Sequence, residues 1–554
     1  MSRSASQHLF SQIPPLEVPR SSFNRSHTVK TTFDAGKLIP FYIDEVYPGD
    51  TFNARSNVFA RLTTPIVPAM DNAYMDTFFF FVPYRLLWKH WREFNGENLL
   101  PGIQSTEYVV PKVKANNAQV GTLWDYFGFP TGIAHDLSVS AFPFRAYAKV
   151  YNDWFRDENL QATKNVNTLV DLTNADDLDA VLGADATVDL TAATPFYRGK
   201  RHDYFTSALP WPQKGPGVEL PLGATATVTG TLPVTSVKSH YFDDNNGHVF
   251  SIRQNPSGNL IAAGLDNSSV SVDIGHNAAF YSISGQTADA SHATVDLSNA
   301  TAVTINSLRS AFQLQKFYEK DARGGTRYTE IIRSHFGVIS PDARLQRAEY
   351  LGGTSTPIMF NPVMQTSATV GTSPQGNLAA YAMANTNTHG FNKSFVEHGI
   401  VIGLLNVRTD LSYQQGINRQ WLRNTREDFY WPSFAHLGEQ AVYNKEIYAQ
   451  GTAVDDDVFG YQERYAELRY HPSIITGKMR STYAQSLDVW HFAQKFDNLP
   501  ALNSAFISDT ASYQALQRII AVQSEPQFYA DIFVNLKCAR PMPLYGVPGM
   551  VDHF

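Results

Sequence analysis

The chain has 554 residues, 43% of them hydrophobic but only 17% charged, below the roughly 25% usual in a soluble protein. Its formal net charge of -7 excludes a protein that grips nucleic acid over its whole surface, and a single cysteine, Cys538, excludes an intrachain disulfide. The length calls for several domains or one domain with long insertions, and 13% aromatic residues suit either surface buried between subunits or a large Tyr-rich β protein.

The opening residues, MSRSASQHLFSQIPPLEVPR, lack the apolar core of a signal peptide, and no stretch approaches the ~18 apolar residues that span a bilayer. A soluble product made in the cytoplasm, with no membrane insertion, is the expectation. Residues 1–30 carry Arg3, Arg20, Arg25 and Lys30 against Glu17, a net of +3 from four minus one, and Pro14, Pro15 and Pro19 interrupt regular structure. They read as an extended basic arm or as a frayed terminus.

From Leu38, LIPFYIDEVYPGD reads as a strand closed by the turn signal Pro48-Gly49-Asp50, and TFNARSNVFARLTTPIVP as the next. MDTFFFFVPYRLLWKHW follows. Successive strand residues face opposite ways, so Phe79 and Phe81 line one face and Phe78 and Phe80 the other. Both faces are apolar, and one core covers only one of them. A helix with Leu87, Trp91 and Phe94 at i, i+4, i+7 is expected next.

PFRAYAKVYNDWFRDENLQ gives the strongest helical pattern. Pro143 stands where a first helical residue tolerates it, and Phe144, Tyr147, Ala148, Tyr151, Trp154 and Phe155 form one stripe. The segment from Gly215 to Asn306 has another character: no Trp, Met or Cys, Lys238 and Arg253 as its only Lys or Arg, and much Thr, Ser, Ala and Val. It reads as a small β-rich insertion, with a lesser one of similar flavour between Asn165 and Thr194. A helix over Ser307 to Lys320 then stops at Gly324-Gly325. EHGIVIGLLNVRTD reads as a strand buried on both sides, and from Phe528 to Cys538 apolar and polar residues alternate as in a half-buried strand. Domains are accordingly placed at 1–30, 31–214, 215–306 and 307–554.

Nucleotide-binding glycine patterns, HExxH and paired zinc-ligand cysteines do not occur. No catalytic residue, metal or cofactor is assigned, although two distant carboxylates could form a glycosidase pair. His335 and His398 adjoin apolar runs and read as hydrogen-bonded core histidines. The Asp455 to Asp457 triplet reads as a solvated loop rather than a cation site. RGKRHDYF, Arg198 to Phe205, mixes cations with rings that could hold phosphates and stack bases; a structural loop that satisfies carbonyls and subunit contacts fits equally.

Several long stretches, among them TTFDAGKLIPFYIDEVYPGDTF, MDNAYMDTFFFFVPYRLLW, RGKRHDYFTSALPWPQKG, LQKFYEKDARGGTRYTEIIRSHFGV and VRTDLSYQQGINRQWLRNTREDFYWPSFAHLGEQAV, resemble the major capsid proteins of gokushoviruses, small tailless phages of the Microviridae. Gly215 to Asn306 carries no motif of that family. The resemblance implies a mainly β fold, an eight-stranded antiparallel jelly roll with long helix-bearing loop insertions. It also implies a T=1 icosahedral shell of about sixty identical copies, located in the virion and enclosing circular single-stranded DNA.

Implied partners are further copies of the chain, the packaged DNA, a small basic DNA-binding protein, a minor (pilot) protein and a host surface receptor. The variable segment would project at the threefold axes, with Asn245, Asn246 and Gly247 on its surface. Arg3, Arg20, Arg25 and Lys30 would face the DNA. In a two-sheet sandwich, the second face of the phenylalanine strand, Phe78 and Phe80, would be covered by insertion residues such as Tyr151, Trp154 and Phe155 or by a neighbouring subunit. The rival class is a β-sandwich lectin or glycoside hydrolase, which would sediment as a monomer or small oligomer; a secreted adhesin would need an export signal.

Overall fold

A computed structural model describes residues 19–97, 108–174, 176–218, 241–243, 249–254, 260–264, 305–341, 345–369, 371, 374–387 and 390–545. The chain divides into two compact units, one of residues 1–216 with 317–554 and one of residues 217–316. In the first, β1 (Ser21–Asn24), β2 (His27–Phe33), β3 (Ile39–Val46), β4 (Thr51–Leu62) and β5 (Ala73–Pro83) come in quick succession. Short strands β6 (Lys112–Ala115), β7 (Leu137–Ser140) and β8 (Val188–Asp189) then form a sheet of their own. In the second unit β9 (Tyr241–Asp243), β10 (Val249–Gln254) and β11 (Leu260–Gly264) pair antiparallel. The first unit resumes with β12 (Glu349–Pro357), β13 (Met359–Met364), β14 (Leu378–Asn387), β15 (Phe391–Ser394), β16 (Gly399–Thr409), the hairpin β17 (Glu439–Tyr443) and β18 (Val458–Glu463), and β19 (Phe528–Arg540).

The molecule is mainly β, and the strands of its two main sheets pair antiparallel. One sheet runs β1-β19-β4-β14-β13, with β2 also on β19 and β15 also on β4; the other runs β12-β5-β16-β3. Their facing sides enclose one core, which includes Phe33, Phe52, Val58, Met75, Phe79, Phe81, Val401, Leu405, Ile532 and Leu536. The alternation read in β19 appears as strict alternation of buried and outward residues from Phe528 to Cys538. β16 is buried on both faces from Gly399 to Val407, because a second core lies behind it.

That second core joins Phe80, Val82, Ile400, Ile402 and Leu404 of the smaller sheet to Trp88, Trp124, Phe144, Tyr147, Val150 and Tyr151 of the segments inserted after β5. The helical stripe is a true helix over Phe142–Val150 followed by a π turn over Tyr151–Phe155. The helix expected around Leu87 is interrupted instead: a 3-10 turn covers Tyr84–Leu86 and a single α turn covers Trp91–Phe94. Tertiary packing decides this, because Trp88 and Trp91 both turn toward Phe142, at centroid distances of 6.2 and 5.8 Å. Of the later helices, the one expected from Ser307 spans Ile305–Arg323.

Candidate functional site

The second aromatic face of β5 is where the insertions meet the sheet. Phe80 is 1% exposed, and Phe78 is partly buried beside it. Phe155 meets both edge-on, at 5.4 Å and 71° from Phe78 and 5.8 Å and 81° from Phe80. Trp154 and Tyr350 tilt onto Phe80 at 5.7 and 5.5 Å. The π turn makes this possible: the Arg156 amide donates to the Tyr151 carbonyl at 3.0 Å, and the extra residue in the turn re-aims the side chains that follow. Tyr151 is buried and packs on Phe196 at 4.9 Å, whereas Trp154 keeps 43% of its surface open and donates its indole N–H to the Ala348 carbonyl at 2.7 Å.

Next to these rings opens a cleft of about 470 Å³, lined in part by the basic segment at Arg198. Its cations are already engaged. The Arg198 guanidinium lies 4.7 Å from the Phe78 centroid and 5.3 Å from that of Phe155, and donates to Asp76 Oδ2 at 2.6 Å. Arg408 donates to the same oxygen at 3.0 Å. Burial works against the Asp76 charge, but the two guanidiniums outweigh it and hold the carboxyl below its usual range. Burial pushes Arg198 down to about 10 and Lys200 down to about 8.

Lys200 donates to Gln494 Oε1 at 3.1 Å and sits 4.2 Å over Phe506. Arg201 pairs with Asp410 at 2.9 Å and covers Tyr74 at 4.3 Å. Tyr204 donates to Glu446 at 3.0 Å and Phe205 is buried, while His202 is exposed. Of the two readings left open for RGKRHDYF, this geometry fits the structural loop. It clamps the insertion to the sheet.

Arg3 lies outside the described residues, as do Asn245, Asn246 and Gly247. Arg20 donates to Thr51 Oγ1 at 2.7 Å, Arg25 pairs with Asp44, and Lys30 pairs with Asp531 at 2.7 Å. The described end of the expected arm is thus strand, with β1 and β2 hydrogen-bonded to β19. Asp455 accepts the amides of Gln450 at 3.0 Å and Gly451 at 2.7 Å, which hold it below the usual carboxylate range, and Asp456 pairs with Lys445. The triplet caps its own loop. Among the described residues no group of three or more His, Cys, Asp or Glu could hold a metal. His335 bonds to Asp321 at 2.7 Å, and His398 lies in ring contact with Tyr47 and Trp91.

Sequence reasoning missed two features. One is Asp76, the shared acceptor of Arg198 and Arg408, whose partners lie 122 and 332 residues away. The other is an outward aromatic group on the loop before β17, where Trp421 is 75%, Phe429 53% and Tyr430 53% exposed. Large rings inside an otherwise charged loop were the available signal for it.

The family model described as "Capsid protein (F protein)" matches residues 11–550. Capsid protein VP1 of Bdellovibrio phage phiMH2K is 45% identical, covering 99% of this chain and 98% of the relative. Capsid protein VP1 of Chlamydia phage 1 is 44% identical with the same coverage, and that of Spiroplasma virus 4 is 39% identical, covering 98% and 97%. No described helix is long and apolar enough to cross a membrane. A match over almost the whole length at these identities leads to one conclusion: the chain belongs to the capsid protein (F protein) family, the major capsid proteins that associate to form the virions of Microviridae phages.

Proposed function

We propose that the chain is the repeating unit of a closed T=1 icosahedral shell, about sixty copies under one point group, around a circular single-stranded DNA genome. The unit is an eight-stranded jelly roll with long loop insertions. Its strand pairing supports this reading: β2 with β19, β3 with β16, β4 with β14 and β5 with β12. The first of these eight strands pairs with the last, the second with the seventh, the third with the sixth and the fourth with the fifth, as in a long hairpin rolled up on itself.

The chain acts by association and containment, with no catalytic step. The single observation that carries this is the aromatic surface one copy leaves uncovered: Trp421, Phe429 and Tyr430 each expose more than half their area. Rings left this open are typical anchors of subunit interfaces. Repeated at every symmetry-related position, modest contacts add up to a stable particle.

The basic residues Arg3, Arg20, Arg25 and Lys30 face the DNA in this scheme, and a small basic protein supplies further neutralisation. The segment 215–306, including Asn245, Asn246 and Gly247, forms the protrusion that meets a host receptor, and a minor (pilot) protein completes the particle. Sedimentation and electron microscopy of the expressed chain test the reading. Round megadalton particles are expected; a compact monomer that stays single at every concentration overturns it.

A further inference from the structure

The larger sheet has a second face too, and no part of the described chain covers its centre. Every other residue of β4 and β19 points outward there: Asn53, Arg55, Asn57, Phe59 and Arg61 on one strand, Tyr529, Asp531, Phe533, Asn535 and Lys537 on the other. The register sets Tyr529 opposite Arg61, Asp531 opposite Phe59, Phe533 opposite Asn57, and Lys537 opposite Asn53. Neighbouring strands bring Asn24 beside Lys537, Asn385 beside Phe59 and Asn392 beside Asn53, all exposed. The three central rings keep 47% (Phe59), 42% (Tyr529) and 41% (Phe533) of their area open.

Asparagine is depleted in strands, yet it recurs here at outward positions. Asn24 and Asn535 serve the turn into β2, Asn24 Oδ1 accepting the Ser26 amide at 3.2 Å and its hydroxyl at 2.7 Å and Asn535 Oδ1 accepting that hydroxyl at 3.4 Å, which leaves Asn53, Asn57, Asn385 and Asn392 as the amides offered to a ligand. The charge is also one-sided. In a chain of net charge -7, this stretch sets Lys30, Arg55, Arg61 and Lys537 against Asp531, an excess of +3 from four minus one. Asp531 is already paired with Lys30 at 2.7 Å, while Arg55, Arg61 and Lys537 enter no ion pair among the described residues. The carboxyls of Asp125 and Glu525 stand only at one end, in the cleft beside Arg61 and Tyr529.

The geometry points to this face as a binding platform for unpaired DNA, with bases on Tyr529, Phe59 and Phe533, phosphates on Arg55, Arg61 and Lys537, and asparagine amides on base edges. Phe59 is the diagonal neighbour of both other rings, roughly 7–8 Å away, about twice the ~3.4 Å between stacked bases of a duplex strand. The rings therefore receive bases that are already splayed apart, which a duplex cannot offer. An amide both donates and accepts, so it serves any base edge and reads no sequence. The proposal rests on the shell reading only for the source of the strand, the enclosed genome.

The test is anisotropy of labelled oligothymidylate, and of a duplex of equal length, titrated with the purified full-length chain, alongside micrographs of its particles. Single strands should bind tighter than duplex. Phe59→Ala and Phe533→Ala should each weaken binding about tenfold, Phe533→Trp should retain it, and Arg55→Ala or Lys537→Ala should each lower the salt slope by about 0.7. Equal binding of duplex and single strand, or indifference to all these outward substitutions, overturns the platform even if particles form normally. Absence of particles with the binding pattern intact sinks the shell and leaves the platform standing.

Discussion

The ring of Phe155 stands edge-on to that of Phe80, centroids 5.8 Å apart at 81°, and through this contact the inserted π turn closes the outer side of β5. Phe80 is fully buried among Phe78, Trp154, Phe155 and Tyr350. Phe80→Ala therefore opens a cavity that rigid rings cannot fill, at a cost of about 3–5 kcal/mol. Phe78→Ala, at a partly buried ring, should cost less. Urea unfolding of dissociated subunits measures both; equal midpoints for Phe80→Ala and the parent would mean that the insertion does not depend on this contact.

Asp76 is the electrostatic counterpart of that contact. Its side chain is 5% exposed and those of Arg198 and Arg408 are 14% and 12% exposed, so Asp76→Asn leaves two buried guanidiniums without their counter-charge, at about 3–5 kcal/mol. The pH dependence has a definite sign. The folded carboxyl lies below its unfolded value, so its contribution is complete above the unfolded pKa, about 3.9, and is lost as pH falls through the folded one. Burial raises the carboxyls of Asp509 and Glu446, and these shift stability the opposite way. The gap between wild type and Asp76→Asn isolates the Asp76 part: it should be widest at neutral pH and narrow in acid, read from unfolding midpoints across the pH range.

Gly36 fixes where the chain passes from β2 to β3. Its φ is +80°, its amide donates to the Val407 carbonyl at 2.9 Å, and its carbonyl accepts the Arg198 amide at 2.8 Å. A Cβ at this position would overlap the Asp509 carbonyl oxygen, a backbone atom that cannot swing away. Gly36→Ala should cost more than about 2 kcal/mol, seen as a lowered unfolding midpoint. A Gly49→Ala control, with positive φ but only the Pro541 ring nearby, should cost less.

What could be read in the sequence was local. The two-faced run Phe78 to Phe81, the alternation of β19 and the double burial of β16 all follow from period two or from a continuous apolar run, which a strand displays without help from elsewhere. The π turn was not legible, because its residues continue the helical stripe of Phe144 and Tyr147, and only packing under Phe78 and Phe80 rewards the change of phase. The Asp76 cluster and the outward face of β4 and β19 needed partners hundreds of residues apart to be in register. The outward residues of each strand were visible; their joint chemistry was not.

The uncovered rings before β17 should matter to assembly and not to folding. Trp421 and Phe429 are exposed in the single copy, so Trp421→Ala with Phe429→Ala should leave the subunit's unfolding midpoint within about 0.5 kcal/mol. If these rings anchor an interface, each truncation removes about 2 kcal/mol or more per contact, repeated around the shell, and the yield of particles in a sucrose gradient should collapse. Particles recovered at the parental yield would place the subunit contacts elsewhere.

The basic residues near the N-terminus bear a different expectation now that two of them are seen in ion pairs. Lys30 with Asp531 is a surface pair, the side chains 74% and 47% exposed, and such a pair stabilises a fold by about 0–1 kcal/mol; Asp44, 9% exposed, keeps Arg540 at 3.8 Å when Arg25 is removed. Replacing Arg20, Arg25 and Lys30 together by Ala should therefore leave β1 and β2 in the sheet, where backbone bonds to β19 hold them. It removes three positive charges, and each phosphate left without a partner weakens the hold on single-stranded DNA. The ratio of absorbance at 260 nm and 280 nm in purified particles should fall. Particles of normal yield with an unchanged ratio would show that these cations serve only the sheet.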